Sequence, residues 1–177
     1  NTRPFAAYRR YCGADTPCER WINQPGASLS KKIRYETFIT HNELNIEELS
    51  ADVIADRNGA VVVFNGITRD HTDGRKVLFL EYEAYLPMAK AKLNDVAKEI
   101  CDKWDVSVVI AHRIGRVDIG ESSLIVTVGS PHRASAYQAS QYSVDRIKQI
   151  VPIWKKEHFD GGEVWIGDAE GFRPLAG

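Results

Sequence analysis

The side chains best suited to chemistry fall in the stretch SPHRASAYQASQYSVDRIKQIVPIWKKE, from Ser130 to Glu157. Ser130 suits a helix N-cap and Pro131 the first helical position, where a missing N–H leaves nothing unpaired. His132 and Arg133 then occupy the first turn. Free backbone N–H groups and the helix dipole favour an anion there. Ala136, Ala139, Val144, Ile147 and Val151 follow at helical spacing, and Pro152 ends the helix. Lys148 lies in the last turn, at the margin of the apolar stripe. Partial burial there lowers a lysine pKa and makes the amine a better base or nucleophile. Lys155 and Lys156 alternate on an extended segment, so only one of them shares a pocket with Lys148. Lys155 is the choice, with Glu157 on its face and able to pair with it. Arg69, where a buried strand gives way to a polar loop, is a further candidate.

His132 and Lys148 are sixteen residues apart, roughly 24 Å along a helix. One compact pocket does not hold both from the same chain. If both act, the simplest arrangement is a two-fold dimer with the helix start of one copy beside the helix end of the other. The plainer alternative is a surface helix with solvated basic residues.

The elements that must position these groups can be read from pattern. Ile33 to Thr40 reads as a strand. Asn45 with Glu48 forms a capping-box start for a short helix carrying Ile46, Leu49 and Val53, stopped by Asn58-Gly59. Ala60 to Thr68 is a buried strand by its β-branched run. It is followed by a polar loop with an Asp-Gly turn and a strand from Val77 to Tyr85, the pair expected as an antiparallel hairpin with a long tip. Pro87 opens a helix to Trp104 with apolar Ala89, Leu93, Val96, Ala97 and Ile100 at 3.6-residue spacing. Strands follow at Val106–Ile114 and Ser122–Gly129. After the basic helix come an extended segment, Pro152 to Phe159, and a short strand, Glu163 to Ile166. There is no regular βαβ succession and no Gly-rich phosphate loop, so the class expected is α+β.

Residues 1–32 carry basic side chains with little periodicity and read as an extension partly ordered at best, with Phe5, Tyr8, Tyr11 and Trp21 able to pin it to the domain or to a partner. Residues 33–177 form the domain. The first residue is Asn, so a fragment or a processed product is expected, and no apolar signal-peptide core is present. A net charge of −1 gives no global field for nucleic acid or an anionic membrane. No apolar run reaches the ~20 residues of a membrane span. The cysteines, Cys12, Cys18 and Cys101, and the histidines lack metal-ligand spacing, so no metal is expected. Cys101 reads as a small buried hydrophobe. Cys12 and Cys18 can form a local disulfide, but free thiols in a reducing cytosol are preferred.

Taken together, GAVVVFNGITRDH (59–71), EAYLPMA (83–89), HRIG (112–115), SPHRASA (130–136) and IKQIVPIWKKE (147–157) resemble the large, catalytic subunit of molybdopterin synthase. The resemblance covers about Ile33 to Ile166, with Pro131 standing where the family usually has Ala. It implies an α/β-hammerhead-like fold with an additional antiparallel β-sheet. It also implies a sulfurtransferase that converts cyclic pyranopterin monophosphate (precursor Z) into the molybdopterin dithiolene, without a cofactor. Sulfur arrives as a thiocarboxylate on the C-terminal Gly-Gly of a small ubiquitin-like subunit. A central homodimer with one small subunit at each end makes a heterotetramer in the cytosol. By matched position, Lys148 and Lys155 are the catalytic candidates, and Ile67, Thr68, Arg69, His132, Arg133, Lys156 and Glu157 the substrate-binding ones. Two other readings share the basic residues: a non-catalytic module for phosphorylated metabolites or a ubiquitin-like tail, and a scaffold docked through residues 1–32.

Overall fold

The computed structural model describes residues 34–166. The expectations for the N-terminal extension, its aromatics, Ile33, Cys12, Cys18 and the polar tail lie outside the described residues. Nine strands and three helices follow one another as β1 (Tyr35–Thr40), α1 (Ile46–Ala51), β2 (Ala60–Ile67), β3 (His71–Thr72), β4 (Arg75–Ala84), α2 (Leu86–Lys103), β5 (Ser107–Arg113), β6 (Gly115–Asp118), β7 (Ser122–Ser130), α3 (Arg133–Ile150), β8 (Ile153–Phe159) and β9 (Gly162–Ile166) among those residues. This is the α+β arrangement expected, with a second, antiparallel sheet beside the first. Among the described residues no helix is long and apolar enough to cross a membrane.

The first sheet has the order β1-β5-β7-β2, with β1 parallel to β5 and the other pairs antiparallel. The central strands β5 and β7 are apolar on both faces because both are covered, whereas Val61 and Val63 of the edge strand β2 are exposed. The main core forms where α2 and α3 lie on one face: Leu93, Val96 and Ile100 of α2 and Ala136, Ala139 and Ile147 of α3 pack on Val108, Ile110, Val126 and Val128. On the other face α1 sets Leu49 and the following Val53 against Val109, Ala111 and Ile125. The start of α1 is the one expected, since Asn45 Oδ1 accepts from the amides of Glu47 at 2.9 Å and Glu48 at 3.2 Å.

The second sheet runs β3-β4-β8-β9, with β6 also on β4. Here the sequence reading needs correction. β2 and β4 do not form a hairpin: β2 pairs with β7, far along the chain, and β4 with β8 and β6. The local hairpin is the short β3–β4 turn, where Asp73 (φ 51°) and Gly74 (φ 76°) take the left-handed conformations that a tight turn demands. A second correction concerns the entry to α3. Its N-cap is His132, in extended conformation, and Ser130 ends β7. Ser130 still supports the entry, because its hydroxyl accepts from the His132 amide at 3.3 Å.

Candidate functional site

Lys155 and Glu157 point from β8 to the same face and form an ion pair of 2.9 Å, as strand alternation requires. Glu157 is buried, and Lys155 is half-buried. Lys156 points to the opposite face. Its Nζ lies 3.3 Å from Glu163 and 3.9 Å from Glu81, and 4.5 Å from the centre of the Trp165 ring. The two neighbouring lysines therefore serve different surfaces.

Tyr82 of β4 stands opposite Lys155 in the register of the second sheet. Its ring meets the buried His112 of β5 edge-on, with centroids 5.2 Å apart. Ser123 of β7 lies near the phenol and donates to the Gly66 carbonyl at 3.2 Å. Burial pushes the Tyr82 phenol up, and Ser123 and Lys155 pull it partly back. Burial also holds the His112 imidazole down at about 4. Both rings are therefore uncharged near neutrality, and Nδ1 of His112 faces the Arg113 carbonyl at 2.8 Å. Sequence reasoning missed Tyr82. Only the alternation within β4 hinted at it, and its neighbours come from other strands.

The exit of β2 belongs to the same end of the molecule: Ser123, which bonds the Gly66 carbonyl, lies near Tyr82, the register partner of Lys155. Ile67 and Arg69 are exposed there, while Thr68 between them is buried. Thr68 is locked by two backbone bonds: its amide donates to the Glu121 carbonyl at 3.0 Å and its carbonyl accepts from the Gly120 amide at 2.8 Å. Arg69 is thus presented from a fixed base. Thr68 Oγ1 and Glu157 Oε2 are both buried without a hydrogen-bond partner among the described residues. Such atoms are costly unless a donor reaches them. Lys148, in the last turn of α3, is exposed in the single chain rather than part-buried as expected.

His132 and Arg133 are exposed at the other end of α3. Ala60, at the start of β2, pairs with Ser130, whereas Ile67, at its end, pairs with Ser122. At about 3.3 Å per residue these ends are roughly 23 Å apart. The uninterrupted helix from Arg133 to Ile150 gives the same separation for His132 and Lys148, roughly 24 Å. One chain therefore carries two candidate half-sites at opposite ends: His132 with Arg133, and Lys155–Glu157 beside the β2 exit on the side where α3 ends.

Cys101 is buried, and burial pushes its thiol up to about 11. It is a thiol rather than a thiolate at neutral pH, a poor nucleophile.

Comparison with known proteins bears on what such half-sites do. The family model described as "MoaE protein" matches residues 39–150. A Bacillus subtilis protein named molybdopterin synthase catalytic subunit is 48% identical over 131 residues, 73% of this chain and 83% of the relative. The crystal structure of molybdopterin synthase from Staphylococcus aureus superposes with a TM-score of 0.71 at 43% identity, covering 77% of this chain and 98% of that one. A complex of subunits 1 and 2 of molybdopterin-converting factor from Helicobacter pylori shares the fold, with a TM-score of 0.63 at 24% identity over 79% of this chain and 99% of that one.

Proposed function

The chain belongs to the MoaE family, and from that premise we propose that it is the catalytic subunit of a molybdopterin synthase. It is a sulfurtransferase of molybdenum cofactor biosynthesis. It takes sulfur from the thiocarboxylated C-terminal Gly-Gly of a small ubiquitin-like subunit and delivers it to precursor Z, forming the dithiolene. Two copies make the centre of a heterotetramer, and the reaction runs in the cytosol. The functional domain is residues 33–177.

The observation that carries this reading is the placement of two cationic half-sites at opposite ends of one chain. A second copy related by a two-fold axis brings the His132–Arg133 end of one to the Lys155–Glu157 end of the other. His132 and Arg133 then hold the phosphate and the polar edge of the pterin through charge-assisted hydrogen bonds. Ile67, Thr68 and Arg69 line the approach on the opposite wall. Lys148 and Lys155 flank the inserted tail. The thiocarboxylate sulfur bonds to a substrate carbon and displaces an oxygen leaving group. Water then adds to the acyl carbon and breaks its bond to that sulfur, freeing the tail as a carboxylate, while the two lysines stabilise the oxyanion on the acyl carbon and move the protons. Glu157 holds the Lys155 ammonium through their 2.9 Å ion pair. Lys156 contributes from the outer face, where its acidic partners hold it. The buried Cys101 thiol supports a sulfur source outside this chain, and Cys→Ser replacement at all three cysteines should leave transfer intact, whereas its complete loss in a folded protein would contradict this.

The test is reconstitution with precursor Z and thiocarboxylated partner, reading dithiolene product by mass spectrometry. Lys155→Ala and His132→Ala/Arg133→Ala chains are each inactive alone. Mixed and re-assembled, they regain about a quarter of wild-type turnover, because half the dimers then hold one intact site. No recovery on mixing, with dimers formed, overturns the shared site. Unchanged turnover in Lys155→Ala overturns the catalytic reading in favour of a binding module.

A further inference from the structure

Arg69 and Lys155 belong to different sheets, the first just past β2 and the second on β8. A site that uses both needs the sheets held in fixed relation. Glu121, in the turn from β6 to β7, makes such a link. Its Oε2 accepts from the Asp118 amide at 2.8 Å, where β6 of the second sheet ends. The same oxygen accepts from Arg113 Nη1 at 2.9 Å, where β5 of the first sheet ends. The pair is largely enclosed, with 11% of the Arg113 side chain exposed and 30% of Glu121. The turn itself is closed by the Glu121 amide on the Asp118 carbonyl at 3.0 Å. Gly120 takes the positive φ (85°) that the third position of such a turn demands. From this turn come both backbone bonds that hold Thr68, through the Glu121 carbonyl and the Gly120 amide. The next residue is Arg69.

We propose that Glu121 is a positioning residue for Arg69, its carboxylate pinning the β6–β7 turn to Arg113 and so fixing the backbone from which Arg69 projects. Hydrogen bonds to an ionised acceptor are stronger than neutral ones and hold a narrower geometry. One oxygen here takes two of them, one from each sheet. Without the carboxylate the turn keeps its glycine and its own amide bond but loses the tie to β5, and Thr68 then rests on a looser support. The inference rests on the sulfur-transfer reading above for its kinetic consequence, and on the fold alone for its structural one.

The test uses full-length Glu121→Ala in the assembled complex. KM for precursor Z rises about tenfold, the low end for one lost hydrogen bond to a charged group, while kcat stays within about twofold because Arg69 is a binding group. Glu121→Gln keeps an oxygen for both donors and stays within about threefold of the wild type. In an Arg69→Ala background Glu121→Ala costs less than about a further twofold, since the residue it positions is gone. Amide hydrogen exchange needs no turnover. It shows Thr68 exchanging at least about tenfold faster in Glu121→Ala, while the amides of the β5–β7 ladder keep their protection. Arg113→Met removes only the link to the first sheet. It gives the same pattern at about threefold or more, and decides the matter should Glu121→Ala not fold. An unchanged KM, a rise that persists without Arg69, or lost protection spread along the β5–β7 ladder overturns the proposal. A wild-type complex that transfers no sulfur sinks the functional reading instead, and the Thr68 exchange rate still decides the role of Glu121.

Discussion

Deleting the Lys155 ammonium should destabilise the fold more than deleting the charge of its partner, Glu157. The pair is 2.9 Å long, with 30% of the Lys155 side chain exposed but only 3% of Glu157. At an effective dielectric near 20 the attraction is about 6 kcal/mol before desolvation is subtracted. Breaking a buried pair from one side costs about 3–5 kcal/mol, mostly for the charge left behind. In Lys155→Met that stranded charge is the enclosed carboxylate, so the loss should be about 3 kcal/mol. In Glu157→Gln the remaining ammonium can swing towards water along its flexible stem, and the loss should be about 1 kcal/mol. The double variant leaves no charge behind and should return to within about 1.5 kcal/mol of the wild type. Urea unfolding at fixed protein concentration reads all three, provided the m-values agree. A costlier Glu157→Gln, or a double variant equal to the sum of the singles, would refute the burial asymmetry on which the ranking is built.

Three other changes probe the frame around the site. His112 is held at about 4 against ~6.5 for a free imidazole, so the unfolded chain takes the proton first. The stability due to the neutral ring is complete above about pH 6.5 and lost as pH falls towards 4, up to about 3 kcal/mol. His112→Gln should flatten that portion of a urea-midpoint-versus-pH curve, and an unchanged slope would count against it. A Cβ on Gly129 would lie 2.3 Å from the Val53 carbonyl oxygen and 2.6 Å from Asn58 Nδ2. Gly129→Ala should therefore cost about 2–3 kcal/mol in thermal unfolding, and a neutral outcome would mean that the loop before β2 gives way. Asn45→Ala removes the cap of α1 and should cost about 1 kcal/mol, whereas Asn45→Asp should restore it in the same melts.

Periodicity placed most of the elements. The apolar spacing in α2 and α3 fixed both helices to within a few residues, and the pairing of Lys155 with Glu157 followed from alternation alone. Pairing partners were not legible. The β-branched run of β2 says that it is buried, but not that its neighbour is β7, more than fifty residues away, rather than the nearby β4. The N-cap was misassigned because Ser130 looks like a cap, yet its place in the β7 ladder claims its backbone. The place of Tyr82 beside Lys155 escaped notice because it depends on β4–β8 register and on packing against His112 of the other sheet. The opposed half-sites were legible as a distance, since helix rise converts sequence separation into length. The burial of Thr68 and exposure of Lys148 were not, because they depend on what the loops cover.

The β4–β8 ladder has one register shift, between Val77 and Phe79, and runs without interruption from Phe79 to Ala84. An extra residue near the shift can be taken up by widening that irregularity. The same insertion between Ile153 and Lys155 would turn Lys156 inward and Lys155 out, exchanging their surroundings without altering either side chain. The two halves of one strand should thus age differently in evolution, the distal part accepting changes of length and the proximal part only changes of letter.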